Sequence, residues 1–381
     1  MEKKLVNTAA TRAAIKRASQ QARNAMRDLD RDTVDALLAM YGDAAEGVRA
    51  AIRGRVDGSD MVPVSHLRDL LRQVEDVIDG LGVKRNALLA QGLADAAELG
   101  VRPYTMQGIA GVGAGVYPGS GAETRGAQAV LSSEAAMRVS QEAVRFVQSF
   151  TAADGLTLSD RLWRLDQGAK EVLSRAIGQA VVAGWDASRA AAALMYGGQA
   201  VPLDVAARLK GAKVDALVRA ADLLTGDGGE VWKADRVFRT EINRAHGTAY
   251  MTGAEETPGF GGFRLLLSPQ HPKPDICDLL TSQNLYGLGA GVYPSASACP
   301  WPAHPNTLTF MEIVFADEVT AADRAGKETV TDAMGRMPAD VREGILGVQK
   351  SALNDAGQIK PYMIRSPLYA VKQRLSRTGK G

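Results

Sequence analysis

The stretch Glu230-Val-Trp-Lys-Ala-Asp-Arg-Val-Phe-Arg-Thr-Glu-Ile-Asn-Arg-Ala-His-Gly-Thr-Ala-Tyr250 decides how the chain is read. Val231, Ala234, Phe238, Ile242, Ala245 and Ala249 recur at steps of three or four, which puts them on one stripe of a helix beginning near Glu230. Arg239, Asn243, His246 and Tyr250 share a second face by the same steps. A Pro258-Gly259 turn follows, after which residues 263–267 read as a strand and residues 308–315 as a second. The result is a small α+β module over residues 230–316, two strands flanking a long loop. Residues 279–311 contain no Asp, Glu, Lys or Arg and little sign of regular structure. Left bare, Leu285, Val292 and Trp301 of that loop would form an apolar patch, so a covering partner surface is expected.

Working outward, the remaining chain is helical, which makes the expected fold mainly α with one small α+β module. Residues 8–52 carry apolar and small side chains at helical spacing (Ala14, Ala18, Ala22, Met26, Leu29, then Val34, Leu37, Leu38 and Tyr41). A second helix follows Pro63, with Leu67, Leu70, Leu71, Val74, Val77, Ile78 and Leu81 on one stripe, and a third spans 84–99. Residues 1–100 are thus read as an N-terminal helical arm with a basic start, Lys3, Lys4, Arg12, Lys16 and Arg17. Residues 101–131 read as a Gly-rich linker, too irregular for an element from Gly108 to Gly126. Residues 132–229 read as a helical domain. There a capping box, Thr157-Leu-Ser-Asp160, opens a helix with the stripe Leu162, Leu165, Ala169, Val172, Leu173, Ile177 and Val181. Shorter helices are expected over 188–196 and 202–224. Residues 317–381 read as a C-terminal extension whose tail, from Gln358, holds Lys360, Arg365, Lys372, Arg374, Arg377 and Lys380 without an acid. Such a tail, with few apolar anchors to a core, could meet nucleic-acid phosphate; alternatively Tyr362, Ile364, Leu368 and Tyr369 could dock it as a strand or short helix on a neighbour.

One octapeptide occurs twice, as Gly111-Val-Gly-Ala-Gly-Val-Tyr-Pro118 and Gly287-Leu-Gly-Ala-Gly-Val-Tyr-Pro294. Nothing around it repeats, so the chain is not a solenoid. Two similar turns account for it, as do two loops packing on matching surfaces. Neither copy follows an expected strand with a third glycine at dinucleotide-binding spacing.

Composition narrows the class. The chain has 381 residues, 46% apolar and 23% charged, the balance of a globular protein of two or three folding units. Lys plus Arg number 45 against 43 Asp plus Glu, so there is no whole-surface electrostatic reason to bind nucleic acid. Two cysteines cannot build a disulfide framework, and Met1-Glu2-Lys3-Lys4 opens no apolar signal core, so synthesis in a reducing cytoplasm is expected. No window has the length and apolarity of a membrane span.

The residues that could carry chemistry cluster late in the chain: His271-Pro-Lys-Pro-Asp275-Ile-Cys277-Asp278, then Cys299, then Pro302-Ala-His304-Pro305. His271, Asp275, Cys277 and His304 are donor types that zinc accepts, and together they could close a site pinning the uncharged loop. The Cys-x-x-Cys and His-x-x-x-His spacings of structural zinc sites do not occur here. Hydrogen bonding by His and Asp, around a buried thiol, explains the same residues. A Cys277–His304 nucleophile and base has no orienting third group in the sequence.

The run from Phe238 to Tyr250 resembles the helix signature of the phage Mu F-like minor head protein family. That family couples an Arg-Thr-Glu helix to a strand, a cysteine-bearing loop, a His-Pro element and a closing strand. Here Arg239-Thr-Glu241, residues 263–267, Pro274-Asp-Ile-Cys277, His304-Pro305 and residues 308–315 stand in that order. Many members carry a Cys-x-x-Cys pair and a His-Pro-x-Cys-x-Cys close. This chain has Asn306-Thr-Leu-Thr309 after the His-Pro, so a zinc site of that kind would lose ligands. The resemblance implies Phe238, Arg239, Glu241, Asn243 and His246 as structural signature residues, with Phe238 and Ile242 packed on the first strand and Arg239 paired with an acid. It implies a virion protein assembled in the host cytoplasm, a non-enzymatic minor capsid component meeting portal or major capsid subunits and, through its basic termini, packaged DNA. No resident cofactor is expected, with zinc on His271, Asp275, Cys277 and His304 as the alternative. The competing class is a metal-dependent hydrolase or nuclease centred on His271, Asp275, Cys277 and His304.

Overall fold

The computed structural model describes residues 8–56, 62–113, 127–152, 154–183, 221–269, 271–305, 307 and 309–377. The helix expected over 188–196, most of that over 202–224, residues 114–118 of the first octapeptide, and Lys3, Lys4 and Lys380 lie outside these residues.

The fold is mainly α with one small antiparallel sheet. Helix α1 spans Ala9–Arg53, α2 Leu67–Val101, α3 Met106–Gly113, α4 Ser133–Ser149, α5 Leu158–Ala183 and α6 Glu230–Glu255. The helices expected at 67–81 and 84–99 are one, because Gly80 and Gly82 interrupt the apolar stripe without breaking the backbone. The Gly-rich linker is also corrected in part. Residues 106–113 form α3, started by Thr105, whose Oγ1 accepts from the Gly108 amide at 3.1 Å. The capping box at α5 forms as expected, with the Thr157 amide donating to Asp160 Oδ2 at 2.8 Å and the Asp160 amide to Thr157 Oγ1 at 3.3 Å.

Contacts along the chain group it into two interleaved units. One comprises residues 27–95 and 144–242; the other comprises 1–26, 96–143 and 243–381. The divisions fall inside α1, α2, α4 and α6, which is why composition shifts along the chain did not mark them.

In the first of these units the burial is helix on helix. Leu37, Tyr41, Val74, Ile78, Leu173, Ile177 and Phe238 are all buried, at about 1.5–3 kcal/mol for each large side chain. Phe238 and Ile242 line a small gap with Thr33, Val34 and Leu37 of α1, and the Ile242 side chain also lies against Gly92 of α2. Arg85 is buried and bonds Asp166 at 2.9 Å, so its charge is compensated.

The second unit holds the sheet. Strands β1 (Phe260–Leu266), β2 (Val292–Tyr293) and β3 (Phe310–Phe315) lie in the order β2-β1-β3, both pairs antiparallel. Phe263 faces Ile313 and Leu265 faces Met311 on the buried side; Arg264 faces Glu312, an opposite-charge cross-strand pair. The expected core had only two strands. The third comes from the second octapeptide, two residues long and too short to register as an alternating run. The unpaired edge of β3 is closed from α6: the Ile313 amide donates to the Tyr250 hydroxyl at 3.0 Å.

Helix α7 (Ile276–Ser282) lies between β1 and β2 in the chain, and α8 (Ala321–Ala325), α9 (Val330–Gly335), α10 (Ala339–Leu346), α11 (Val348–Asp355) and α12 (Leu368–Arg377) follow β3. One core joins α7 to this C-terminal segment through Leu279, Ala333, Met334, Leu346, Ile359, Met363, Ile364, Val371 and Leu375. The basic tail is therefore no loose appendage. Ile359, Met363, Ile364, Val371 and Leu375 anchor it at helical spacing, and removing it would open this core.

Candidate functional site

The candidate ligands converge at the start of α7. Asp275 is its N-cap, and its Oδ1 accepts from the Cys277 amide at 2.6 Å. Asp278 completes a reciprocal capping box, taking the Asp275 amide on Oδ2 at 2.8 Å. This local geometry turns Cys277 inward, where it is 0% exposed. His304 arrives from the loop before β3. Its Nε2 lies 3.1 Å from Cys277 Sγ and 3.1 Å from Asp275 Oδ2, and its Nδ1 lies 2.7 Å from the Pro305 carbonyl oxygen. His271 bonds Asp278 Oδ2 at 3.0 Å and stands 3.7 Å from Asp275 Oδ1. All four expected ligands are thus within one cluster, in two overlapping groups: Asp275, Cys277 and His304, and His271, Asp275 and Asp278. Asp278, the residue that orients the others, was quoted in the sequence but not counted among them.

Burial pushes the Cys277 thiol up to about 12, and the neighbouring carboxylates of Asp275 and Asp278 add to it. Alone, then, Cys277 is a protonated thiol and a poor nucleophile at neutral pH. Cys299 stands apart, 4.0 Å from the Met311 sulfur, with its thiol likewise raised to about 12 by burial.

The signature helix supports this cluster through its C-terminal half. The Asn243 side chain donates to the Thr307 carbonyl at 3.5 Å, and Trp301 Nε1 donates to the Asn243 carbonyl at 3.2 Å. Thr307 Oγ1 in turn lies 3.5 Å from Cys277 Sγ. His246 is buried and stacks on Tyr250 at 6.1 Å between centroids; burial first, and the Arg23 charge second, lower its pKa to about 4. It is a neutral packing ring. Glu241 is buried. Arg239 pairs with acids as expected, 3.2 Å from both Asp30 and Asp235. Phe238 and Ile242 find their neighbours in α1 and α2, and Tyr250 is the α6 residue that bonds the sheet.

The polar groups of the uncharged loop are bonded within its own chain: Gln283 Nε2 donates to the Tyr293 hydroxyl at 2.7 Å, which donates to the Leu280 carbonyl at 2.8 Å. Asn284 is bonded by Asp323 and Glu328. Of the three apolar residues expected to form a patch, Val292 is buried, while Leu285 and Trp301 are half-buried.

Among the basic residues, Arg12 pairs with Asp317, and Lys16 with Glu318 at 2.5 Å, so this part of the N-terminal arm is used within its own unit. Arg365 donates to the Ala303 carbonyl and Lys372 to Gln349 at 2.9 Å, while Arg374 lies over the Tyr362 ring at 5.5 Å. Lys360, Arg365, Lys372, Arg374 and Arg377 are nevertheless exposed. Among the described residues, no helix is long and apolar enough to cross a membrane. Comparison with protein-family models, with curated proteins and with solved structures finds no match to this chain.

Proposed function

We propose that this chain is a structural minor capsid protein of a tailed phage or prophage, acting in head morphogenesis at the portal or inside the head. One observation carries the reading. The helix, strand, cysteine-bearing turn, His-Pro element and closing strand that the resemblance implies follow in that order, with the α6 helix bonded to both the His-Pro loop and β3. One further feature supports a non-enzymatic role: Arg239 is committed to Asp30 and Asp235. Portal and major capsid subunits are the proposed partners, with the exposed basic side chains of the tail available to DNA phosphate. Co-expression with portal and major capsid subunits, followed by gradient isolation of heads, tests this. The chain should sediment with the heads, and its deletion should reduce the yield of DNA-filled ones. A chain that stays at the top of the gradient, with head yield unchanged by its deletion, would reject the reading.

A second reading, a metal-dependent hydrolase or nuclease, is favoured by the convergence of Asp275, Cys277 and His304. It requires turnover of DNA on addition of zinc or manganese, lost in His304→Ala.

A further inference from the structure

We propose that Asp275, Cys277 and His304 bind a zinc-class divalent cation, which clasps the start of α7 to the loop before β3. This site stands independently of the head-protein reading. His304 Nδ1 lies 2.7 Å from the Pro305 carbonyl oxygen, which can only accept, so Nδ1 carries a proton. The other ring nitrogen, Nε2, meets two groups at 3.1 Å, Cys277 Sγ and Asp275 Oδ2. Sulfur, nitrogen and carboxylate oxygen thus converge from two separate segments, within 4.8 Å of one another, which is the donor arrangement a cation can bridge. A histidine that gives its other N–H to a backbone carbonyl is also the arrangement that fixes a metal-binding tautomer.

The donor set points to zinc. Thiolate, imidazole and carboxylate are its three protein ligands, at about 2.3, 2.0–2.1 and 2.0–2.2 Å. A tetrahedron with such arms has edges of about 3.3–3.6 Å, so the 3.1 Å separations need to open by only a few tenths of an ångström. Thiolate selects against magnesium and calcium, which prefer oxygen. Binding displaces the thiol proton to solvent, leaving the sulfur bound to the metal as thiolate. Asp278 and His271 act behind the ligands: Asp278 holds the Asp275 amide and the His271 ring, fixing the carboxylate. The His304 and Asp275 side chains are 29% and 32% exposed, so water can reach the fourth position.

The test is titration of the reduced, full-length chain with cobalt(II), followed by zinc(II). One equivalent of cobalt should give a thiolate-to-cobalt charge-transfer band, which zinc then bleaches. Cys299→Ser should keep the band and Cys277→Ser should lose it. Because Cys277 is fully buried, Asp275→Asn provides a second variant, expected to weaken zinc binding by roughly tenfold or more in competition with a chelating dye. A wild-type chain without a thiolate band overturns the proposal, as does a band that survives in Cys277→Ser or disappears in Cys299→Ser. Zinc affinity unchanged in Asp275→Asn also overturns it, since the carboxylate would then be no ligand. None of these readouts depends on head assembly.

Discussion

Residues 111–113, which open one copy of the octapeptide, and residues 287–289, which open the other, take different backbones. In the first, Gly111-Val-Gly113 closes the helix α3. In the second, Gly287, Gly289 and Gly291 have φ of 69°, 109° and 67°, and the copy runs through left-handed turns into strand β2. The difference lies in what surrounds each. Around Gly291, backbone from two elements closes in: its amide donates to the Gln283 carbonyl at 2.8 Å, and its carbonyl accepts from the Leu265 amide at 2.9 Å. Around Gly111 there is open space. Glycine permits both conformations at little cost, so tertiary hydrogen bonds choose between them. Of the two readings open from the sequence, two similar turns fails for residues 111–113.

The largest effect should come from Gly291→Ala. A Cβ there would stand 2.5 Å from the Thr281 carbonyl oxygen and 2.9 Å from that of Leu265, both backbone atoms that cannot swing aside. The left-handed φ adds about 1–3 kcal/mol of strain for a residue with a side chain, and the clash raises the total to about 3 kcal/mol or more. Urea denaturation should show the loss in the midpoint. A loss under about 1 kcal/mol would mean that β2 does not hold its register on β1.

The same contrast explains which parts of the molecule were legible in sequence. Periodicity found α6, α1 and α5, because their stripes repeat over many turns and the burial follows the stripe: Val231, Ala234, Phe238, Ile242, Ala245 and Ala249 are all buried. It could not show that the C-terminal half of the second face of α6 is also buried, since His246 and Tyr250 are polar-tipped and the partners of Tyr250, Ser19 and Ile313, are far away in sequence. It also missed β2 and α7, two and seven residues long, because each is defined by contacts rather than by pattern. The candidate ligands were legible as residue types. Their convergence was not, because it depends on the Asp275–Asp278 capping box and on the loop that brings His304 back across 27 residues to Cys277. The tail was misjudged because charge was counted and the spacing of Ile359, Met363, Ile364, Val371 and Leu375 was not.

A smaller effect sharpens the comparison at the single position where the copies differ, Val112 and Leu288. Leu288 is partly buried against Val292, Val314 and Val319. Leu288→Val makes the two octapeptides identical and removes one methylene, so it should cost only about 0.5–1.5 kcal/mol. The turn should persist, with the amide of residue 289 still bonded to Asn284 Oδ1 and protected from hydrogen exchange. Loss of that protection at a small stability cost would assign the choice of backbone to the side chain rather than to the surroundings.

The smallest effect should have the opposite sign. Gly111 lies in α3, with a right-handed backbone and nothing within 4 Å of where a Cβ would be. Alanine there has no clash to make. It removes conformational freedom from the unfolded chain, which in a helix interior favours folding by about 0.5–1 kcal/mol over glycine. Gly111 is near the end of an eight-residue helix, where fraying reduces the gain, so about 0.5 kcal/mol is expected. A rise in the urea midpoint at unchanged slope would report it. Alanine thus stabilises at Gly111, the first residue of its copy, and damages at Gly291, the fifth residue of the other, where backbone crowds the Cβ. If Gly111→Ala also cost stability, the first copy would have to leave the helix in solution, and the two backbones would be closer than their surroundings require.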